Sequence, residues 1–213
     1  MEVEGLFVTF EGIDGSGKST QSSATFECLC RNLGEDRIIR TFEPGGWEGG
    51  GSIRSVILSG AMKSTWTEVL LFLADRSEHV ERVIRPSLLS GKVVICERFS
   101  DSTIAYQVFG KGFPRDVLDG ISSFASFPEP DITFWLDIPV RVAMERINSR
   151  HTDPDRFESD HELLERIASG YAVLSRCEPD RIKRLDGMAP AEDLTETIVS
   201  VIMKRIEEKT DPS

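Results

Sequence analysis

The 213-residue chain is close to the usual size of one domain with one well-buried core, and its 36 acidic residues outweigh 25 basic ones to give a formal net charge of -11. With no long Lys/Arg run, that balance argues against a nucleic-acid partner, although a local group of arginines can still form a positive pocket for a small anion. Cys28, Cys30, Cys96 and Cys177 lack a second pair or a histidine at zinc-ligand spacing and read as free thiols of a reducing compartment, and the acidic opening MEVEGLFVTFEG has neither the basic flank of a signal peptide nor the length of a membrane span, so a cytoplasmic protein with no membrane partner is expected.

The first apolar run of strand length is LFVTFE (6–11). It leads into Gly12-Ile-Asp-Gly-Ser-Gly17-Lys18-Ser19, which fits G-x-x-x-x-G-K-[ST] and opens a helical stretch. In this pattern the glycines let backbone N–H groups turn in around phosphate oxygens, the helix presents its positive N-terminus, Lys18 supplies a charge to the terminal phosphates, and the Ser19 hydroxyl is a ligand for Mg²⁺. The candidates for holding nucleotide phosphates are Gly12, Asp14, Gly15, Ser16, Gly17, Lys18, Ser19 and Thr20. A guanine-reading N-K-x-D element is lacking late in the chain, so ATP is the expected donor.

Further strands are read at RIIRTF (37–42), KVVICE (92–97), DITFWLD (131–137) and RIKRLD (181–186). GGWEGGG (45–51) reads as a loop. In 67–91 the residues Val69, Leu70, Phe72, Leu73, Val80, Val83 and Ile84 recur at helical spacing until Pro86. Five strands separated by helical stretches imply an α/β fold, a parallel sheet with helices on both faces, as a single domain over 1–213. Ligands of such a sheet gather beyond the strands' carboxyl ends, and the ends at Glu11 to Lys18, at Glu43, at Glu97 with Arg98, and at Asp137 carry candidate functional groups. The turn LDGMAP after the last strand is less informative.

Four more segments accompany the phosphate loop: TFEPGG (41–46), LLFLADR (70–76), ERFSDSTIAYQ (97–107) and RHTDPDRFE (150–158). In this order and spacing they resemble the thymidylate kinase family, whose members transfer a phosphoryl group from MgATP to dTMP; the resemblance runs from about 5 to about 200. It implies the three-layer fold of P-loop NTPases, with a short lid over about 146–160. It also implies a role for each matching residue. Glu43 and Pro44 belong to the loop at the acceptor phosphate, which Arg54 grips with its planar fork. Phe72 lies against the thymine ring, and Arg76, one helical turn later, donates to a ring carbonyl. Arg98 bridges donor and acceptor phosphates. Ser102, Thr103 and Gln107 read the thymine edge, Tyr106 lies under the sugar and disfavours a 2′-hydroxyl, and Asp14 accepts from the 3′-OH. Glu97, at a position that is usually aspartate, joins Ser19 near the metal. No cation stands among Ile13, Asp14, Gly15 and Ser16, so the lid, which holds Arg146, Arg150, His151 and Arg156, is expected to deliver the catalytic arginine. Arg150 is the first choice, with Arg156 paired to Asp155 or Glu158. Lys18, Arg98 and Arg150 are thus the catalytic set. The resemblance also implies a homodimer joined by helices near 50–90.

The sequence departs from the family pattern at Phe42, where many relatives carry arginine, at Trp47 with the run Glu48 to Gly51, which replaces a more helical continuation, and at Glu97. His79, His151 and His161 show no pairing that assigns them chemistry. Two competing readings stay open: a kinase of another small acceptor such as a different nucleoside monophosphate or a deoxynucleoside, and a nucleotide-binding switch. Arg54 together with Arg98 bears on the first, since a nucleoside has no phosphate for them to hold.

Overall fold

The computed structural model of the chain describes residues 5–149 and 160–210. Five parallel strands, β1 (Leu6–Glu11), β2 (Ile38–Phe42), β3 (Val93–Glu97), β4 (Ile132–Asp137) and β5 (Ile182–Asp186), form one sheet in the order β2-β3-β1-β4-β5. Every neighbouring pair is parallel, as with Phe10 opposite Glu97 and Phe42 opposite Glu97. The three inner strands are nearly continuous apolar runs because both faces are covered. The outer strands β2 and β5 alternate and carry Arg40, Lys183 and Arg184, charges that discourage a further strand from adding at the edge.

The period-2 geometry of a strand divides the core. Leu6, Val8 and Phe10 point to one face, where they pack with Leu29 of α1 (Lys18–Leu33) and with Ile198 and Ile202 of α9 (Ala191–Thr210). Phe7, Thr9 and Glu11 point to the other. There Phe7 meets Phe99, Val80 and Ile84, and Thr9 bonds Thr133 across the strands at 2.7 Å. Next to them Trp135 stacks on Tyr171 of α8 (His161–Cys177), at 6.2 Å between ring centroids.

Three readings need correction. The helix expected to lose its pattern at Pro86 continues past it: α3 (Thr65–His79) runs into a π-helical turn, Val80–Ile84, and then α4 (Arg85–Leu89), with Pro86 in α4's first turn. In the π turn Arg85 N–H bonds the carbonyl of Val80, so the register has already shifted where proline cannot donate. Leu70, which shares the helical spacing of Val69 and Leu73, does not share their burial and is 51% exposed. The glycine run is likewise not all loop, since Gly50 and Gly51 open α2 (Gly50–Leu58). A Cβ on Gly50 would lie 2.8 Å from the Cα of Gly45, so only glycine lets the loop fold back there.

Candidate active site

The donor side is built mainly from backbone. Gly15 and Gly17 have φ of 79° and 94°, in the left-handed region, and α1 starts at Lys18 with no side-chain cap and no acidic residue in its first turn. Its N–H groups and dipole are thus left available to an anion. The buried Ser16 hydroxyl has no partner among the described residues, as fits a cradle awaiting oxygen atoms. Lys18 folds over the loop, donating to the Ile13 carbonyl at 3.3 Å and to Asp14 Oδ1 at 3.2 Å. Burial and the nearby Arg98 guanidinium lower its pKa, while Asp14 opposes them.

Glu97, at the end of β3, accepts from the hydroxyls of Ser19 at 2.6 Å and Ser22 at 2.5 Å, and Arg40 approaches it at 3.4 Å. Ser19 and Glu97, expected at the metal, are therefore brought together as hard oxygen donors, a set that fits Mg²⁺. Thr20 is exposed on the first turn of α1.

Arg98 is the centre of the arrangement. It follows β3 with φ 63°, an unusual conformation for a non-glycine residue, and its N–H bonds the Phe10 carbonyl at 3.0 Å. Its guanidinium donates to Asp14 Oδ1 (2.6 Å), the Gly12 carbonyl (3.2 Å), Ser102 Oγ (3.1 Å) and Tyr106 OH (3.0 Å). Tyr106 in turn donates to Asp14 Oδ2 at 2.9 Å. Burial opposes the charge on Asp14, but Arg98 and then Lys18 outweigh it and hold the carboxyl well below the usual carboxylate range.

Arg98, Ser102, Thr103, Tyr106 and Gln107 come from one continuous stretch: the position directly after β3, then α5 (Ser100–Thr103) and the π-helical turn Ile104–Gly110. Together with Asp14, Glu43, Pro44, Arg54, Phe72 and Arg76 they line a cleft of about 110 Å³, to which Leu58 and Phe99 also contribute. A neighbouring cleft is lined by Lys18, Ser19, Arg40, Phe42 and Glu97 and shares Asp14, Glu43, Arg54 and Arg98 with the first. All the described residues expected at the acceptor thus converge on one cleft, beside those expected at the donor phosphates.

The arginines of the acceptor cleft differ in their partners. Arg76 is buried and bound to Glu43, through Nε at 2.9 Å and Nη2 at 2.8 Å; Nη2 also donates to Thr103 at 2.8 Å, and the guanidinium lies 4.7 Å from the centroid of the Phe99 ring. Arg54 is half-buried, donates to the Pro44 carbonyl at 2.7 Å, and has no carboxylate within 4.0 Å among the described residues. Gln107 is buried; its Nε2 donates to Glu68 at 3.1 Å, while its Oε1 has no partner among the described residues.

Several supporting residues were given no individual role by the sequence. Glu11 accepts from Phe99 N–H (2.7 Å), from Ser102 N–H (3.3 Å) and hydroxyl, and from Tyr171 OH (2.9 Å). Burial, then the charge of Asp101, push its pKa up to about 7. His79, to which no chemistry was assigned, is buried between Thr41 (2.7 Å) and Glu43 (3.1 Å). Asp75 accepts from Gly45 N–H and from Trp47 Nε1, at 2.8 Å for the indole, and so ties the acceptor loop to α3. The conspicuous LADRSEH spacing could have pointed to Asp75 and His79, because both lie one or three residues from Arg76 on a helix. Nothing local points to Tyr171.

Arg146, the last basic residue of α7 (Val140–Asn148), donates to the carbonyls of Gly15 at 3.3 Å and Gly187 at 3.4 Å, which joins the phosphate loop to the turn after β5. Asp137 pairs with Arg184 at 2.6 Å. Arg150, His151, Asp155, Arg156 and Glu158 lie outside the described residues.

Comparison with known proteins agrees with this geometry. The family model described as "Thymidylate kinase" matches residues 10–198. The chain is 38% identical over 209 residues to the thymidylate kinase of Ruegeria pomeroyi, covering 97% of this chain and 98% of the relative, and 41% identical over 212 residues to that of Geobacter sulfurreducens, covering 95% and 98%. Among solved structures, the thymidylate kinase of Ehrlichia chaffeensis superposes with a TM-score of 0.79 at 32% identity, covering 94% of this chain and 99% of that one. An α/β sheet with the phosphate loop at its centre, an acceptor cleft beside it and relatives of matching length together lead to one conclusion: the chain belongs to the thymidylate kinase family.

Proposed function

We propose that this protein is a nucleoside monophosphate kinase that transfers the γ-phosphoryl group of MgATP to dTMP, giving dTDP and ADP for dTTP supply. The observation that carries the reading is the sharing of Asp14, Arg54 and Arg98 between the cleft of the phosphate loop and the cleft of Phe72, Arg76 and Gln107. Two phosphate-bearing substrates can therefore meet end to end.

The chemistry assigned to each residue follows from its partners. Thymine is neutral, and the guanidinium beside it, Arg76, is already neutralised by Glu43, so it can donate to a ring carbonyl without an unmatched charge. The buried Gln107 Oε1 is suited to accept the N3–H of the base. The 5′-phosphate is charged and takes Arg54, the arginine with no carboxylate beside it. Asp14, kept ionised, accepts from the 3′-OH, and Tyr106, held against it, occupies the space beside the sugar where a 2′-hydroxyl would fall. The acceptor phosphate is already an oxyanion nucleophile, so no strong base is needed; catalysis is positioning plus charge stabilisation by Lys18, Arg98 and the lid arginine Arg150. Bound with ATP, Mg²⁺ supplies neutralisation of the phosphate oxygens, and Ser19 and Glu97 are this chain's ligands for it, Glu97 directly or through water. Closure of the lid over about 146–160 excludes water and prevents hydrolysis.

The protein acts as a homodimer in the cytoplasm. Val56 of α2 and Trp66 and Leu70 of α3 are about half exposed, an apolar surface that a second copy would cover. Among the described residues no helix is long and apolar enough to cross a membrane.

The test is ADP release from MgATP with dTMP, dUMP, the ribonucleotide of thymine, AMP and thymidine offered separately at matched concentration. Strong turnover with dTMP and weaker turnover with dUMP is expected. Preference for thymidine or AMP, or slow hydrolysis indifferent to all five, would overturn the acceptor assignment.

A further inference from the structure

Phe42 is the last residue of β2, fixed opposite Glu97 in the sheet, and its backbone therefore has little freedom. Its ring is nevertheless 41% exposed, at the end of a strand where an apolar side chain gains little from burial. The ring faces the cleft that also holds Lys18, Ser19 and Arg98, and the Arg54 guanidinium lies over it, with Cζ 5.3 Å from the centroid. That is within the range of a cation–π contact. Arg54 has one other described anchor, the Pro44 carbonyl, which leaves most of its donors directed to solvent or ligand. Arg40, two residues before Phe42 in β2, is committed elsewhere, to Ser23 at 3.0 Å and Glu97 at 3.4 Å.

We propose that Phe42 is a positioning residue for the acceptor phosphate: its ring is the platform that holds the Arg54 guanidinium ready for the 5′-phosphate of the incoming nucleotide. The aromatic face attracts the guanidinium without neutralising it, as a carboxylate would, and without repelling it, as an arginine at position 42 would. Arg54 thus keeps its full charge for the ligand and has less side-chain freedom to lose when the ligand binds. The inference rests on the reading of Arg54 given above.

The experiment compares binding of dTMP and of thymidine, by titration calorimetry on the full chain without ATP, for wild type, F42L, F42Y, R54A and the double variant F42L/R54A. The difference between the two ligands isolates the phosphate contribution. F42L is expected to weaken dTMP binding about three- to tenfold while leaving thymidine binding unchanged, F42Y to restore it, and F42L to add nothing in the R54A background. In turnover the KM for dTMP should rise in F42L with the KM for ATP unaltered. Wild-type dTMP affinity in F42L alongside a clear loss in R54A, or additive losses in the double variant, would overturn the platform. Unchanged dTMP affinity in R54A would instead overturn the role of Arg54 on which it stands. Because the ring is half exposed, a thermal melt of F42L close to wild type shows that any loss is local.

Discussion

The phosphate loop and the cleft beside it, proposed to hold donor and acceptor phosphates, are built by different means. The loop is one short run of chain, Gly12 to Ser19, whose ligating groups are mostly backbone N–H and whose only long cation is Lys18. The cleft gathers side chains from β2, α2, α3, α5 and the π turn after it, and each cation there is set by a partner: Glu43 for Arg76, Asp14 for Arg98, the Phe42 ring for Arg54. A site made of backbone follows from local sequence and tolerates little change. A site made of paired side chains can be retuned one residue at a time, and selectivity for the acceptor belongs there.

The sharpest way to break that contrast is Lys18→Ala. We expect kcat to fall about 10³-fold with every acceptor alike, the magnitude of losing a charged group in a preorganised phosphoryl-transfer site. A loss confined to dTMP in the ADP-release assay would show that the two regions are not separable. Arg181→Ala tests the scaffold under both. Arg181 forks onto the buried Asp101 at 2.7 and 2.8 Å, and its removal strands that carboxylate beside Thr133 and Glu11. Stability should fall by about 3–5 kcal/mol, seen as a lower midpoint in urea, while kinetics of the folded fraction stay near wild type.

Glu11 lies where the two regions join, and its raised pKa makes a signed prediction. Unfolded, it titrates at the ordinary glutamate value of about 4.5; folded, its pKa is pushed up to about 7. Between these values the native state binds more protons, so its contribution lowers stability as pH rises from about 4.5 through 7, by on the order of 3 kcal/mol in total. In Glu11→Gln that slope should flatten in urea unfolding measured across this window. A slope equal to wild type would mean that the four donors around Glu11 keep it ionised. The smallest expected effect is in Gln107→Leu, with about a tenfold rise in KM for dTMP and little change for ATP, because one polar reader of the base is lost.

Much of this was legible in the sequence, for physical reasons. The five strands were read to within a residue because the three inner ones are continuous apolar runs and the two outer ones are short runs of strand length between helical stretches, and the phosphate loop because its chemistry lies in consecutive residues. The residues expected at the acceptor were read from the combination of short segments, each weak alone, and they share one cleft. Glu11 was marked only as a strand end beside the phosphate loop, and its partner Tyr171, 160 residues away, escaped because nothing local points to it. Proline misled at Pro86, where a π turn absorbs the missing donor. Of the three departures from the family pattern, Trp47 is explained by its bond to Asp75 and Glu97 by its reach to Ser19 and Ser22, which the longer carboxylate spans.

Helix α3 is a party wall. Phe72 and Arg76 line the cleft proposed to read the base, while Trp66 and Leu70 are half bare. A helix is only about 10 Å across with its side chains, so whatever leans on the outer face stands within one residue's width of the inner. In the homodimer proposed above, each subunit would steady its neighbour's wall, and thinning the protein in solution would unsettle the grip on the base before it disturbed the grip on ATP.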